Sequence, residues 1–319
     1  MSEPGIDSSI ASDRPAATHR GVHDRLRQSI PVRETGFRPG RTLPVRVEFV
    51  RQLRRRRTQL AGLVLLVLPV IIALAFKVSS PAGSSGSSIG GSSSGSEAVL
   101  VTLATKGATN FALFTEFAST GFLLVVIVAL FCGDAVASEA SWSSLRYLLA
   151  IPVPRARFLR QKLIVVLTLS FGANLLLPAW SYLVGGLFYG WAPGQSPLGG
   201  TFATAESMER LAIIVCYASV QSLFVAGLAF LLSVLTDAPL GAVGGATLLV
   251  VVSTILDSIT ALDPYRQYLP THYQYSWFDA LGKNVVWDNM MRGGGVALTY
   301  AAVFFALAWW RFSRKDIVS

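Results

Sequence analysis

The side chains that most often carry out chemistry are few in this sequence, and they do not converge. His19, His23 and His272 suggest no shared metal site. Cys132 and Cys216 lie inside or at the edge of apolar runs, a placement that indicates neither a disulfide framework nor a metal cluster. We interpret both cysteines as small packing residues. The sequence therefore predicts no metal site on this chain.

Motifs that bind phosphate or activate a nucleophile are not found in the sequence either. There is no G-x-x-x-x-G-K-[ST] phosphate loop, no G-x-S-x-G and no H-E-x-x-H. Gly282-Lys283 lacks the upstream glycine of a phosphate loop and the Ser or Thr that should follow the lysine. We therefore expect a chain that is not an enzyme and carries no cofactor. If this protein uses ATP, another chain must hydrolyse it.

Three polar residues within apolar runs are candidates for a substrate cavity: Glu116, Ser119 and Asn174. An ionisable residue inside a membrane span is a functional hypothesis by default. Glu116 is expected either to contact a cationic substrate or to extend to the outer surface. Asn174 shares a polar helix edge with Ser170 and Ser181, for which hydrogen bonding between helices is the simpler explanation.

Composition and apolar run lengths indicate an all-α integral membrane protein. The chain is 52% hydrophobic and only 14% charged, whereas soluble domains carry about 25% charged residues. A helix that crosses a bilayer needs about 20 apolar residues. Six runs approach or exceed this length, at about residues 60–76, 111–132, 163–187, 211–235, 240–262 and 294–310.

The distribution of basic residues predicts that both termini lie in the cytosol. Most of the 27 Lys and Arg residues fall before the first run, in the insert 133–162 or after the last run. Cytoplasmic loops carry this excess. Residues 1–42 are predicted to be a disordered cytosolic tail, and 43–319 a six-span transmembrane domain that begins with an amphipathic helix on the inner leaflet.

The insert 133–162 is the most distinctive segment, because it places a structured, charged surface between two apolar runs. It opens on acidic residues and continues into an amphipathic patch. Trp142, Leu145 and Leu148 are three residues apart, so they share one face of a helix. Periodicity alone leaves two alternatives open, which are a docking surface for a cytosolic partner and a helix that rests on lipid.

A family resemblance rests on this insert, Glu139-x-x-x-Ser-Ser-Leu-Arg146-x-Leu-Leu-x-x-Pro-Val-Pro-Arg155, followed by Leu159 and Lys162. Tyr268-Leu-Pro-Thr-His-Tyr273 with Trp277, and Phe312-x-Arg-Lys-Asp-Ile317, also look like the same family. From about Val45 to its end, the chain resembles ABC-2 type permeases, the membrane subunits of bacterial ABC exporters such as the daunorubicin-resistance type. It departs from the family pattern at Ser143-Ser144, usually Gly-Thr, and at Pro154, usually Ser.

The resemblance implies the permease of a multidrug-type efflux transporter in the bacterial plasma membrane, with the fold of type V exporters. It implies a dimer with an identical or related second permease, and two copies of a cytosolic nucleotide-binding subunit that carry ATP and Mg. The substrate class would be a hydrophobic or amphipathic drug, lipid-like molecule or peptide. Membrane lipid is a further expected partner, and nucleic acid is not. The insert would be the coupling helix, with partner contacts at Asp134, Glu139, Trp142, Ser143, Ser144, Leu145, Arg146 and Leu148.

Two other functions compete with this one. A proton-coupled secondary transporter would use Glu116, although the spans offer no relay of further acids or histidines. A membrane scaffold or sensor would dock a cytosolic partner without moving a substrate. The basic N-terminal segment leaves room for that role, because it could bind anionic lipid.

Overall fold

The protein is helical throughout the part described by the computed structural model, which is residues 45–79, 96–141, 155–197 and 199–314. Within these ranges the only β pairing is an isolated bridge between Gln195 and Thr201. The described residues lie in one compact unit, residues 43–319. The helices are α1 Val45–Leu53, α2 Arg56–Ser79, α3 Ser96–Leu103, α4 Ala108–Thr120, α5 Leu123–Ser141, α6 Arg155–Tyr189, α7 Thr204–Leu235, α8 Pro239–Asp257 and α9 Asp288–Arg314.

Five of these helices, α2, α6, α7, α8 and α9, are long and apolar enough to cross a bilayer. The pair α4–α5 passes the same test if its two helices count as one bent span, which raises the number to six among the described residues. The chain is therefore a multi-pass membrane protein. The fifth predicted span ends at Asp257 rather than near residue 262, and a short 3-10 turn, Thr260–Leu262, follows it.

Helix α7 forms the centre of the bundle. In its most apolar stretch 61% of residues are buried, against 17% in α8. It packs against α5, α6, α8 and α9. At one end, Val128 of α5, Phe230 of α7 and Phe312 of α9 share one apolar cluster. We call this end, which carries α1 and the start of α6, the basic end. At the opposite end, Ile214 of α7 packs with Trp277 in a second cluster.

The predicted second span at 111–132 is not one straight helix. It breaks at Gly121-Phe122, and α4 and α5 meet at an angle of 59°. The Thr120 hydroxyl donates to the carbonyl of Glu116, a side-chain bond that is associated with helix bending. The amide of Gln274 donates to the Thr120 carbonyl at 2.9 Å, which satisfies an oxygen that the break removes from the helical ladder. Because the run 111–132 is long enough for a single span, its length does not reveal this break.

The segment 263–292 folds over the opposite end of the bundle. Its 3-10 turns include Tyr265–Tyr268 and Ser276–Leu281. Tyr265 and Tyr268 are exposed, whereas Trp277 is completely buried. The segment therefore combines a surface part with a part that belongs to the core.

Several predicted features lie outside the described residues. They are the cytosolic tail 1–42, most of the Ser- and Gly-rich loop 79–96, the patch 142–148 and the final residues 315–319. For these segments the statements made from sequence stay predictions.

A close backbone approach that a single substitution can test is found between α4 and α6. A Cβ atom added at Gly185 would lie 2.8 Å from the Phe111 Cβ and 3.1 Å from the Ala108 Cα. We expect Gly185→Val to lower the free energy of unfolding by about 1–3 kcal/mol, because overpacking forces these two helices apart. Gly172→Val, in the same helix but with nothing within 4 Å of the added Cβ, is the matched control. Unfolding in lipid–detergent micelles measures both, and equal losses would contradict the packing seen here.

Candidate functional site

The basic end of the bundle holds a network of ion pairs that links four helices, and we call it the charge cluster. It joins α1 and the start of α2 to the end of α5 and the start of α6. Its members are Glu48, Arg51, Arg55, Arg57, Asp134, Glu139 and Lys162.

Lys162 lies at the centre of the charge cluster. Its side chain is 2% exposed, and its ammonium contacts Glu139 at 2.7 Å and Glu48 at 2.6 Å. Glu139 is 4% exposed and also pairs with Arg51. Burying an ammonium group is costly unless it is paired and hydrogen-bonded. The two carboxylates therefore hold Lys162 in place, and with it the first turns of α6.

Asp134 forms the second half of the charge cluster. It accepts from Arg55 at 2.7 Å and from Arg57 at 2.8 Å, one arginine on each of its carboxylate oxygens. Arg55 also donates to the Ser138 hydroxyl at 2.9 Å. Charge-assisted bonds of this kind are the stronger class of hydrogen bond. They fasten the start of α2 to α5 one turn before the helix reaches Glu139.

Arg51 remains charged in this arrangement. Burial lowers the pKa of its guanidinium, but the carboxylates of Glu139 and Glu48 outweigh that effect, and the net pKa lies above its ordinary value. The apolar residues Val47, Val50 and Leu53 of α1 are exposed. Helix α1 thus directs charge toward the bundle and an apolar surface outward, as an interfacial helix does.

A further bond fixes the end of α5 to α7. The Ser233 hydroxyl accepts from the backbone N–H groups of Val136 and Ala137, at 2.9 and 3.0 Å. These two residues lie between Asp134 and Glu139 on α5. The acids are therefore held from two sides, by the arginines of α1 and α2 and by Ser233 of α7.

The predicted contact residues divide into two groups. Asp134 and Glu139 lie buried against the chain's own cations, and their contact with a partner stays a prediction. Trp142, Ser143, Ser144, Leu145, Arg146 and Leu148 lie in the segment 142–154, outside the described residues. The charge cluster contains the last described acid before that segment and the first buried cation after it.

The second candidate region is a small cavity between α5, α6 and α7, close to the break between α4 and α5. It has a volume of about 30 Å³, enough for water but far below the roughly 300–1,000 Å³ of drug-sized sites. The polar groups that line it come from four separate elements. They are Thr120, Asn174, Gln221, Ser222 and Gln274.

Of the three residues predicted for a substrate cavity, Asn174 lines this space. Its amide donates to the Ser222 hydroxyl at 3.2 Å, so it also performs the bonding between helices that its sequence context favoured. Glu116 and Ser119 are not among the described lining residues. Glu116 is 0% exposed, and the alternative that it extends to the surface is therefore wrong. Neither carboxylate oxygen of Glu116 has a hydrogen-bond partner among the described residues.

Arg210 of α7 holds the segment 263–292 over the opposite end. Its guanidinium donates to the carbonyls of Ala280, Gly282 and Lys283 at 2.5, 2.6 and 3.2 Å. Tyr217 donates to the Tyr273 carbonyl at 2.5 Å. Arg210 is not among the functional residues predicted from the sequence. A basic residue at the start of an apolar run is the signal that could have identified it.

The arginines of the charge cluster were also missed as partners of the two acids. The sequence showed Arg54 to Arg57 as a flanking run of positive charge. Their partners are more than 70 residues away in the chain, since Arg55–Asp134 spans 79 positions. The available hint was that Asp134 and Ser138, four residues apart on one helix face, can both bond to the same arginine, as they do to Arg55.

Breaking the charge cluster should destabilise the bundle. We expect Glu139→Gln to cost about 3 kcal/mol of unfolding free energy, because Lys162 stays buried with one carboxylate fewer. The double variant Glu139→Gln/Lys162→Met should lose less than the two single variants added together. Asp263→Asn, which breaks a pair whose acid is 62% exposed, is the control and should cost no more than about 1 kcal/mol. Additive losses in the double variant would show that Glu139 and Lys162 are not coupled.

Within the described ranges, no group of three or more His, Cys, Asp or Glu side chains could hold a metal ion.

Comparison with known protein families concerns the chain from α3 onward. No curated protein matches the sequence. A family model described as "Protein of unknown function (DUF2705)" matches residues 99–318, from α3 through α9. Because this match covers more than half of its residues, the chain belongs to the DUF2705 family.

Proposed function

We propose that this chain is the permease subunit of an ATP-driven exporter that moves a hydrophobic or amphipathic substrate, with ATP hydrolysed by a separate subunit. The observation that carries the proposal is the position of the charge cluster. It fastens the helices on both sides of the segment 142–154, α5 through Glu139 and α6 through Lys162, to the amphipathic helix α1.

A force applied to the segment 142–154 has two routes into the membrane. It reaches α5 directly, and α5 passes it to α7 through Ser233. It reaches α6 through the helix start at Arg155, and Lys162 links that start to α1. A buried ion pair resists separation because each charge left without its partner would be costly. The cluster therefore suits the transmission of movement from a docked cytosolic subunit.

The small cavity between α5, α6 and α7 is consistent with the same proposal if this structure is a closed state of the transport pathway. Its walls are mainly apolar, and its amide and hydroxyl groups are uncharged. Such a lining suits a hydrophobic or amphipathic substrate better than a multiply charged one. At about 30 Å³ the cavity must widen before it admits such a molecule. The break between α4 and α5 beside it is a natural point for that change, because the bonding there already depends on Gln274.

The positive-inside rule places the basic end in the cytosol, where the ATPase would dock. A second permease, identical or related, would complete the pathway against surfaces such as α8, where few residues are buried within one chain. The resemblance to ABC-2 type permeases described from the sequence supports the same arrangement.

Association with an ATPase subunit tests the proposal. The double variant Trp142→Asp/Leu145→Asp should lose co-purification with the nucleotide-binding subunit, because charge replaces the apolar face of the predicted docking helix. Trp287→Asp, an aromatic-to-acid change at a 49% exposed residue near the start of α9, is the matched control and should leave association intact. An ATPase subunit that stays bound to the double variant would remove the insert as the docking element.

One observation favours a second candidate function, a proton-coupled transporter. Glu116 is fully buried in α4, and its carboxylate has no partner among the described residues. An isolated ionised carboxylate is costly to bury, so such a group is suited to binding a proton or a cation. No described acid or histidine forms an ion pair or hydrogen bond with it that would serve as a relay.

Proton flux decides between the two candidates. In proteoliposomes with an imposed pH gradient and a pH-sensitive dye inside, the exporter model expects the same slow leak for the wild type and for Glu116→Gln. A proton-coupled transporter would show a flux that Glu116→Gln abolishes. Glu206→Gln, an acid in the first turn of α7 with a side chain that is 44% exposed, is the control for a general loss of negative charge.

A further inference from the structure

A second cavity lies at the basic end of the bundle, between the starting turns of α6 and the last turns of α9. It is lined by Ala156, Arg157 and Arg160 of α6 and by Trp309 of α9, and it has a volume of about 470 Å³. Beside it, Phe158 and Phe312 stack with ring centres 6.2 Å apart, which fixes the start of α6 against the end of α9. The two helices thus form stable walls for the cavity.

The cavity is positively charged. Arg160 is exposed on the α6 side. On the α9 side, Arg311 comes two residues after the lining residue Trp309 and is also exposed. The acids of the charge cluster are already engaged with Arg51, Arg55, Arg57 and Lys162. No ion pair among the described residues involves Arg160 or Arg311. Arginine presents a planar set of donors that matches a phosphate group. The cavity is therefore suited to a phosphate-bearing anion.

Its depth in the membrane narrows the choice of anion. The apolar run of α6 starts at Leu163, so Arg160 lies about 4–5 Å beyond the start of that run at 1.5 Å per residue. Trp309 lies on the second wall of the cavity, where the apolar run of α9 ends just before Arg311. Tryptophan is enriched at the level of lipid headgroups. These positions place the cavity in the phosphate layer of the leaflet.

An exposed apolar surface continues from the cavity toward the middle of the membrane. Ile164, Phe171 and Leu175 are exposed and lie on the same face of α6 as Arg160, at spacings of four, eleven and fifteen residues. A soluble anion would gain nothing from this surface. The acyl chains of a phospholipid would cover it.

We propose that this cavity binds the phosphate headgroup of an anionic phospholipid, with Arg160 as the cation that contacts the phosphate and Trp309 as the interfacial wall. The acyl chains extend along the exposed face of α6. Such a lipid would join α6 and α9 at the basic end. The site is independent of whether the chain transports a substrate, and only the placement of its spans in a bilayer is shared with the proposed function.

Lipid retention tests the site. The full chain is purified in detergent, equilibrated with mixed micelles of phosphatidylglycerol and phosphatidylcholine, and the bound lipid is counted by native mass spectrometry. Wild type should retain phosphatidylglycerol in preference to phosphatidylcholine. Arg160→Gln should weaken that retention about fivefold, the effect expected for one basic residue at a membrane surface. Arg160→Lys should keep most of it, and Trp309→Leu should weaken it without a change of charge.

The controls separate a built site from general attraction. Arg54→Gln removes an exposed cation at the same end but outside the cavity, and it should leave retention unchanged. An equal loss in Arg54→Gln, or no loss in Arg160→Gln, overturns the proposal. Displacement of the lipid by inorganic phosphate would assign the cavity to a soluble phosphate instead. Thermal unfolding of each variant, in the absence of added lipid, confirms that Arg160→Gln and Arg160→Lys are equally folded.

Discussion

The buried ammonium of Lys162 is the constraint on which the basic end of this protein depends. The Lys162 side chain is 2% exposed, so its charge must be balanced by nearby carboxylates. Glu48 of α1 and Glu139 of α5 supply them. This requirement fixes where α1 lies, how far α5 extends beyond its apolar run and where α6 begins. Arg51, Arg55 and Arg57 then neutralise the remaining negative charge of Glu139 and Asp134. An apolar contact could hold the same helices together, but it would not impose one particular arrangement of their ends.

The opposite end is held by polar side chains that satisfy irregular backbone. Arg210, Tyr217 and Gln274 bond to carbonyls of the segment 263–292 or of the broken helix α4. In a membrane, non-helical backbone is tolerated only where protein or water supplies its hydrogen bonds. The two ends of the bundle therefore use different means. One relies on paired charges between helices, and the other on side chains that bond to main-chain oxygens.

The order of the long apolar helices could be predicted from the sequence because the hydropathy of each run is a local property. The tight turn between α7 and α8, with Pro239 at the start of α8, is an example in which pattern and structure agree. The break at Gly121 was not predicted, although the polar residues Ser119 and Thr120 precede it, because the group that stabilises the break, Gln274, is 154 positions from Thr120. The pairing of Asp134 with Arg55 and Arg57 was likewise hidden by distance in the chain. A run of arginines before a span is normally explained by membrane orientation alone, and here part of that run also bonds to carboxylates of another helix.

Three cations of the charge cluster each contact two carboxylates. Lys162 lies between Glu48 and Glu139, Arg51 contacts the same two acids, and Arg55 reaches Asp134 at 2.7 Å and Glu139 at 3.6 Å. An arginine of α1 or α2 that leaves one carboxylate is thus already close to the next. Lys162, Arg51 and Arg55 therefore each keep a carboxylate within 3.6 Å when one of their contacts is lost. The charge cluster is redundant, because no single broken contact leaves one of these cations without a carboxylate beside it.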